Sequence, residues 1–481
     1  MGIIFVPFYI KYLGIEAYGL IGIFASMQVW FSLLDMGMAP ALGREMARFS
    51  VGARTLRSIL DLFYSLEVVY ASAALLLAGG IFIFAPWLST HWLKTVSLSS
   101  ETVAHALVLI GIVIALRWLA TLYRSALIGL QRQVWLSGFN AIFATLRGGG
   151  VTLVLAFGIS SVQAFFIYQA IVGTAESLVL ASFMRRVLRG NTHPWRFSIG
   201  AIKEVGRFAA GMALITLLSI LLTQIDKLIL SKLLMLREFG YYTLATTAAG
   251  ALYLLITPVA TAAYPRLTGI AANGSKTELA DEYHLFSQVL VFLLVPATVV
   301  LALFPSHFLL LWTRNETATA AVAPLFSILL IGNMLNGLMH MPYYLQLAHG
   351  WTRFTVRVNT VSLLLLAPLV YFGVKNYGAI AAALVWAALN LGYVLVAVPI
   401  MHKRLLPTEK WSWFLRDVGL PLVAIVAVTM VIRSVTPVAN IDNIAKTVET
   451  VLIASLAAFV TASATVPIVK TELRRWLKRF A

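Results

Sequence analysis

Arg117, Arg124 and Arg147 stand inside stretches of the chain that are otherwise almost entirely apolar. A guanidinium keeps its charge when desolvated and pairs bidentately with phosphate oxygens, so arginines placed this way suit an anion such as a pyrophosphate. Arg117 and Arg124 are seven residues apart, nearly two helical turns, and share one face of a helix. Arg147 adjoins Gly148-Gly-Gly150, where absent side chains allow close backbone approach or a local bend. On adjacent helices the three would line a cationic cavity. The plainer alternative is that Arg124 reaches the cytoplasmic surface while Arg117 pairs with Glu67 or Glu176. Asp35, Glu67, Glu176 and Asp226 are the acids read as buried. Each is either a proton- or Na⁺-responsive group or one half of a static ion pair. Trp118, Tyr123, Tyr168, Tyr343 and Tyr344 offer rings that could stack on sugars or simply pack between helices.

Other chemistries have no residues to carry them. Cysteine is absent, which removes disulfides, thiol catalysis and cysteine-based metal sites together. There is no P-loop, no HExxH and no GxSxG, and the eight histidines lack metal-ligand spacing. No cofactor is implied. No loop is long enough for a soluble catalytic domain.

The elements that must position these residues are membrane spans. Of 481 residues 60% are hydrophobic and 11% charged, against about 25% charged in soluble domains. Apolar windows bounded by Gly, Pro and basic clusters fall near 17–41, 58–86, 101–127, 133–157, 161–184, 208–230 and 240–264, then near 284–305, 319–345, 358–373, 377–401, 417–432 and 447–468. The opening ten residues are apolar but reach only halfway across a bilayer, and read as the distal half of a further span that continues upstream of Met1. Counting Lys and Arg in alternate loops gives 24 on one side and 8 on the other. The richer side is cytoplasmic by the positive-inside rule, which places both termini there. The net charge of +17 is therefore a topology signal. It does not indicate nucleic acid, and the basic run from Lys470 to Arg479 suits anionic lipid.

The chain also repeats. Gly19 and Gly240 open corresponding spans at an offset of 221, Trp92 matches Trp312 at 220, and Asn140 matches Asn359 at 219. Two tandem six-helix bundles of parallel orientation follow, as in transporters that work by alternating access. The expected organisation is an N-terminal bundle over 1–190, a cytoplasmic linker over 191–207, a C-terminal bundle over 208–402, and an extra helix pair with a basic tail over 403–481.

The stretches Pro7-Phe-Tyr-Ile-Lys-Tyr-Leu-Gly-Ile-Glu-Ala-Tyr-Gly19, Leu33-Leu-Asp-Met-Gly37 with Arg44, Gln224-Ile-Asp-Lys-Leu-Ile-Leu230 and Phe239-Gly-Tyr-Tyr-Thr-Leu-Ala245 resemble the Wzx-type polysaccharide-unit flippases. These share a superfamily with MATE-type efflux proteins and the lipid II flippase. The resemblance implies an all-α, MATE-like polytopic protein of the bacterial inner membrane. It implies a substrate of undecaprenyl-pyrophosphate-linked glycan, moved between leaflets without ATP, and adds Arg44 to the candidate cationic set. Implied partners are membrane lipid, a polysaccharide polymerase and a chain-length regulator, with no nucleic acid. A cation-coupled exporter on the same architecture should have an acid-rich cavity, whereas arginine leads here. A membrane glycosyltransferase or polymerase would need a sizeable acidic outer loop, and the stretch around His91 to Ser100 is short.

The loop count makes one test immediate. In this cysteine-free chain, a Ser97→Cys variant should react with a membrane-impermeant thiol reagent added to intact cells, while Ser50→Cys and Asn191→Cys should react only after permeabilisation. Labelling of Ser50→Cys in sealed cells would invert the layout.

Overall fold

The computed structural model describes residues 2–188, 196–436 and 443–469. Those residues are about 90% helical with no strands, and twelve of their helices are long and apolar enough to cross a membrane. Asn191 in the expected linker and the basic residues Lys470 to Arg479 lie outside the described residues. The chain packs as two compact units, Met1–Gly240 and Tyr241–Ala481.

In the first unit the helices are α1 (Gly2–Phe31), α2 (Met38–Ser50), α3 (Leu56–Trp87), α4 (Ser100–Gly129), α5 (Gln133–Thr145), α6 (Val151–Ala156), α7 (Val162–Val187) and α8 (Ile199–Leu233). Next comes α9 (Leu236–Ala249), which runs across the unit boundary. The opening apolar segment and the span expected over 17–41 both fall in α1, which breaks at Gly14, where φ of 82° is open to glycine and costly for other residues. The span ends earlier than expected, at Phe31. A short turn over Ser32–Asp35 and left-handed Met36 and Gly37 redirect the chain into α2, whose first turn is held by Asp35 Oδ1 accepting from Ala39 N at 3.1 Å. The expected span over 133–157 is interrupted by a π-helical turn, Leu146–Gly150, joining α5 to α6. The expected span over 208–230 lies within α8.

α4 is the centre of this unit, packed against α2, α3 and α7. Its contact with α2 is a backbone approach: a Cβ on Gly129 would collide with Gly43 O. At the end of the unit where α1 breaks, the buried Glu16 carboxylate accepts from Val96 N at 2.6 Å, from Ser97 N at 2.8 Å and from the Ser97 hydroxyl. In the same loop Lys94 O accepts from Leu236 N at 2.7 Å and Trp92 Nε1 donates to Ser231 Oγ at 3.1 Å. The Glu-Ala-Tyr-Gly stretch thus serves as a loop anchor.

The second unit holds α10 (Tyr253–Asn273), α11 (Lys276–Leu303), α12 (Pro305–Thr313), α13 (Glu316–Leu338), α14 (His340–Ala348), α15 (Thr352–Tyr377), α16 (Ala379–Gly392), α17 (Val398–Leu405), α18 (Leu420–Val435) and α19 (Ile444–Thr465). A π-helical turn, Tyr393–Ala397, joins α16 to α17, and another, Ser412–Gly419, leads into α18. The closing helices dock on α11 through polar contacts. Asp417, fully buried, meets His284 Nδ1 and accepts from Gln288 Nε2 at 2.8 Å, while Glu409 lies 3.0 Å from His284 Nε2. The Thr408 hydroxyl at 2.7 Å, and then His284, hold the Glu409 carboxyl below the usual carboxylate range.

The repeat-related glycines Gly19 and Gly240 meet one another. A Cβ on Gly19 would sit 2.5 Å from Leu236 O, and one on Gly240 would collide with Ile15 O, both backbone atoms that have little room to move. Gly240→Ala should therefore lower the thermal midpoint of the purified protein, by an overpacking penalty of about 1–3 kcal/mol. Gly80→Ala, whose Cβ would point into open space, should leave it unchanged or slightly raised.

Candidate functional site

Arg117 and Arg124 project from one side of α4, Arg147 from the π-helical turn between α5 and α6, and Glu176 from α7. The four come together. Glu176, 1% exposed, pairs with Arg124 and lies 2.5 Å from Arg147 Nη1. Arg117 has no carboxylate partner among the described residues. Its two terminal nitrogens donate to Gln28 Oε1 on α1 at 3.0 Å and to Gln169 Oε1 on α7 at 2.9 Å, and its guanidinium carbon lies 4.9 Å from the Phe24 ring centroid. Gln169 completes the link by donating from Nε2 to the Arg147 carbonyl at 3.0 Å.

The local sequence explains the arrangement. The π-helical turn shifts register within an otherwise regular helix, and its glycines admit large neighbours. A Cβ on Gly148 would meet the Phe5 ring and one on Gly150 the Tyr168 hydroxyl. The glycine run is thus a close-approach device that lets α1 and α7 press against the segment carrying Arg147. Tyr9 adds a hydroxyl donating to Gly148 O at 3.4 Å.

Three guanidinium groups face one carboxylate, so two positive charges remain uncompensated inside the helical unit. The Nε donors of Arg117 and Arg124 are buried without an acceptor among the described residues. The arrangement thus leaves positive charge and free guanidinium donors at one place in the unit.

The remaining sequence candidates fall into other groups. Arg44, half exposed, lies 3.9 Å from Glu45, which also binds Arg54 at 2.5 Å and Arg48 at 3.1 Å. Asp35 accepts from the Tyr70 hydroxyl. Glu67 accepts from Tyr123 at 2.6 Å and lies 3.8 Å from Arg185, so it is not the partner of Arg117. Asp226 is on α8, half-buried. Trp118 is buried against Tyr70, with ring centroids 4.4 Å apart and planes at 11°, and Tyr168 donates to Leu146 O. Tyr343 and Tyr344 lie in the second unit on α14.

Sequence reading missed Gln28 and Gln169, although an amide within an apolar span carries its own signal, since it must find a hydrogen-bond partner away from water. It also missed the buried acids Glu16, Glu45 and Asp417, whereas Asp35, Glu67 and Asp226 are only half-buried.

Residues 11–313 match a family described as polysaccharide biosynthesis protein. A Shigella flexneri protein named as a candidate O-antigen transporter is 21% identical over 376 residues, covering 78% of this chain and 87% of the relative. Among solved structures, lipid II flippase MurJ in an inward closed conformation has a TM-score of 0.70 at 13% identity, with 95% of this chain and 96% of that chain covered. An inward-facing multidrug-resistance MATE family transporter has a TM-score of 0.64 at 14% identity, with 84% and 94% covered. These likenesses show an all-α polytopic fold of the MurJ and MATE kind.

Removing the shared carboxylate should strand two cations. Glu176→Gln should lower the thermal midpoint of the detergent-purified protein by a loss of about 3 kcal/mol, the low end for a broken buried pair because Arg124 and Arg147 are 27% and 21% exposed. Pairing Glu176→Gln with Arg147→Gln should recover part of that loss.

Proposed function

The chain belongs to the polysaccharide biosynthesis protein family whose pattern it matches over residues 11–313, and from that premise we propose that it is a flippase for lipid-linked glycans in the bacterial inner membrane. Its substrate is an undecaprenyl-pyrophosphate-linked oligosaccharide unit, carried from the cytoplasmic to the periplasmic leaflet by alternating access. It acts as a transporter, with no covalent step of its own. The observation that carries this reading is the arginine cluster of Arg117, Arg124 and Arg147, with two charges beyond what Glu176 neutralises.

A pyrophosphate crossing hydrocarbon faces a large desolvation barrier. Guanidinium groups already held in place lower it by supplying hydrogen bonds and opposite charge without reorganising. Arg117 is the residue best suited to this task. Its present partners are neutral glutamine oxygens, so a diphosphate oxygen can replace them with a gain in charge pairing. Arg124 and Arg147 share Glu176, and their contribution is the field around Arg117 and a shape fixed by that carboxylate. An exporter of cations would place uncompensated acids here, and the cluster has the opposite sign.

Arg117→Ala should reduce surface polysaccharide at least tenfold in a strain dependent on this protein, at normal protein level and thermal midpoint, because no buried carboxylate is stranded. Arg117→Lys should restore only part of the export, since lysine keeps the charge and loses the fork. Immunoblotting of membranes alongside gel analysis of surface glycan provides the measurement. Full export from Arg117→Ala would remove the cluster from the transport path.

A further inference from the structure

A polar recess lies wholly within the C-terminal unit, and its lining contains no Asp, Glu, Lys or Arg. Its volume is about 250 Å³, just under the roughly 300–1,000 Å³ of sites for drug-sized ligands, and so suits one ring-sized group. α14 brings in His340, Tyr343 and Gln346, the first turns of α15 add Thr355 and Asn359, and the π-helical turn before α17 adds Tyr393.

Hydrogen-bond accounting shows what this recess can take. His340 Nδ1 lies 3.1 Å from Asn336 O and 3.2 Å from Gly337 O. A carbonyl only accepts, so Nδ1 carries the proton and Nε2 of the neutral ring is an acceptor. Thr355 donates to Gln346 Oε1 at 3.1 Å, which leaves the Gln346 amide hydrogens as donors. The Asn359 amide and the Tyr343 hydroxyl have no hydrogen-bond partner among the described residues, and each can donate and accept. Asn336 is held in the wall, accepting from Tyr253 at 3.0 Å and donating to Asn390 at 2.9 Å. Beside these groups runs an aromatic row, in which the Tyr344 centroid is 5.6 Å from Tyr343 and 6.1 Å from His340.

Each common class of ligand can be weighed against that inventory. A phosphate would want a cation in the wall, and a cationic drug would want a carboxylate. An acyl chain would leave the amides and hydroxyls without partners, at a desolvation penalty for each. A neutral polyhydroxylated ring meets every condition: its hydroxyls both donate and accept, and its C–H face lies flat on an aromatic side chain. We propose that this recess is a binding subsite for an uncharged sugar ring. The proposal rests on the flippase reading in identifying that sugar as part of the lipid-linked unit. The recess lies toward the helix ends that the basic-residue count assigns to the cytoplasmic side, where such a unit would load.

The test uses the full chain in lipid nanodiscs and saturation-transfer NMR with free glucose, galactose, rhamnose, N-acetylglucosamine and N-acetylgalactosamine. The wild type should transfer signal to at least one of them, and Asn359→Leu and Tyr343→Phe should each weaken that sugar's binding about fivefold, the effect of one lost hydrogen bond. Unchanged thermal midpoints verify folding, and Tyr343→Phe, which removes a single oxygen, guards against a misfolded Asn359→Leu. No transfer in the wild type, or transfer that both variants leave intact, would overturn the subsite. A second arm compares bare undecaprenyl pyrophosphate with the same carrier bearing N-acetylglucosamine. The two recess variants should weaken only the glycosylated carrier, whereas Arg117→Ala should weaken both; equal weakening of both carriers by the recess variants would also overturn the subsite. If neither carrier binds the wild type while free-sugar transfer remains sensitive to the variants, the flippase reading falls and the sugar subsite stands.

Discussion

A guanidinium held away from water must be surrounded by acceptors or opposite charge, and the N-terminal unit is organised around meeting that demand for Arg117, Arg124 and Arg147. Insertion of such a charge at mid-membrane costs about 2.5–3.5 kcal/mol even on the mildest scale. α4 carries two of the three and is also the helix that α2, α3 and α7 enclose. Glu176 answers Arg124 and Arg147 together, and Gln28 and Gln169 answer Arg117. The glycines at 148 and 150 let Phe5 and Tyr168 close around the turn bearing Arg147. The demand is met for folding without being fully neutralised, and the proposed function rests on that surplus positive charge.

The buried carboxylates divide by task. Glu176 belongs to the arginine cluster. Glu16 ties the loop after α3 to the break in α1, Glu45 gathers Arg48 of its own helix and Arg54 just beyond the end of α2, and Asp417 fastens the last helices to α11 through His284 and Gln288. A carboxylate that accepts two or more hydrogen bonds or ion pairs is a strong fastener in a low-dielectric interior. The polar groups of the C-terminal recess behave differently, since several of their donors and acceptors face open space. In the proposed function, the cationic cluster and the neutral recess take different parts of one amphiphilic, sugar-bearing lipid.

Much of this molecule was legible from the chain alone. Apolar windows located the spans, because a bilayer imposes a fixed length of hydrocarbon on every crossing segment. Gly148-Gly-Gly150 marked a place for a local bend, because absent side chains allow one, and a π-helical turn falls there; the breaks at Gly14 and Gly37 appeared only in the structure. The arginines stood out because a charge in such a window is costly and must be answered by a partner or by water. Spacing on α4 paired Arg117 with Arg124, since seven residues return to nearly the same face.

What the sequence determined by itself was therefore the membrane class, the apolar spans and the presence of costly charges within them, since each of these is a property of one segment and its solvent. Partner choice was decided only by tertiary structure. Arg117 meets glutamines instead of Glu67 or Glu176, and Glu67 goes to Tyr123 and Arg185. Helices that are apolar on every side give no periodic signal of which face meets which neighbour. Each residue turns the helix by about 100° and each turn shifts it by about 5.4 Å, so a small change in rotation or register exchanges one partner for another. The geometry that joins Arg117, Arg124, Arg147 and Glu176 exists only once α1, α4, α7 and the π-helical turn at 146–150 have packed together.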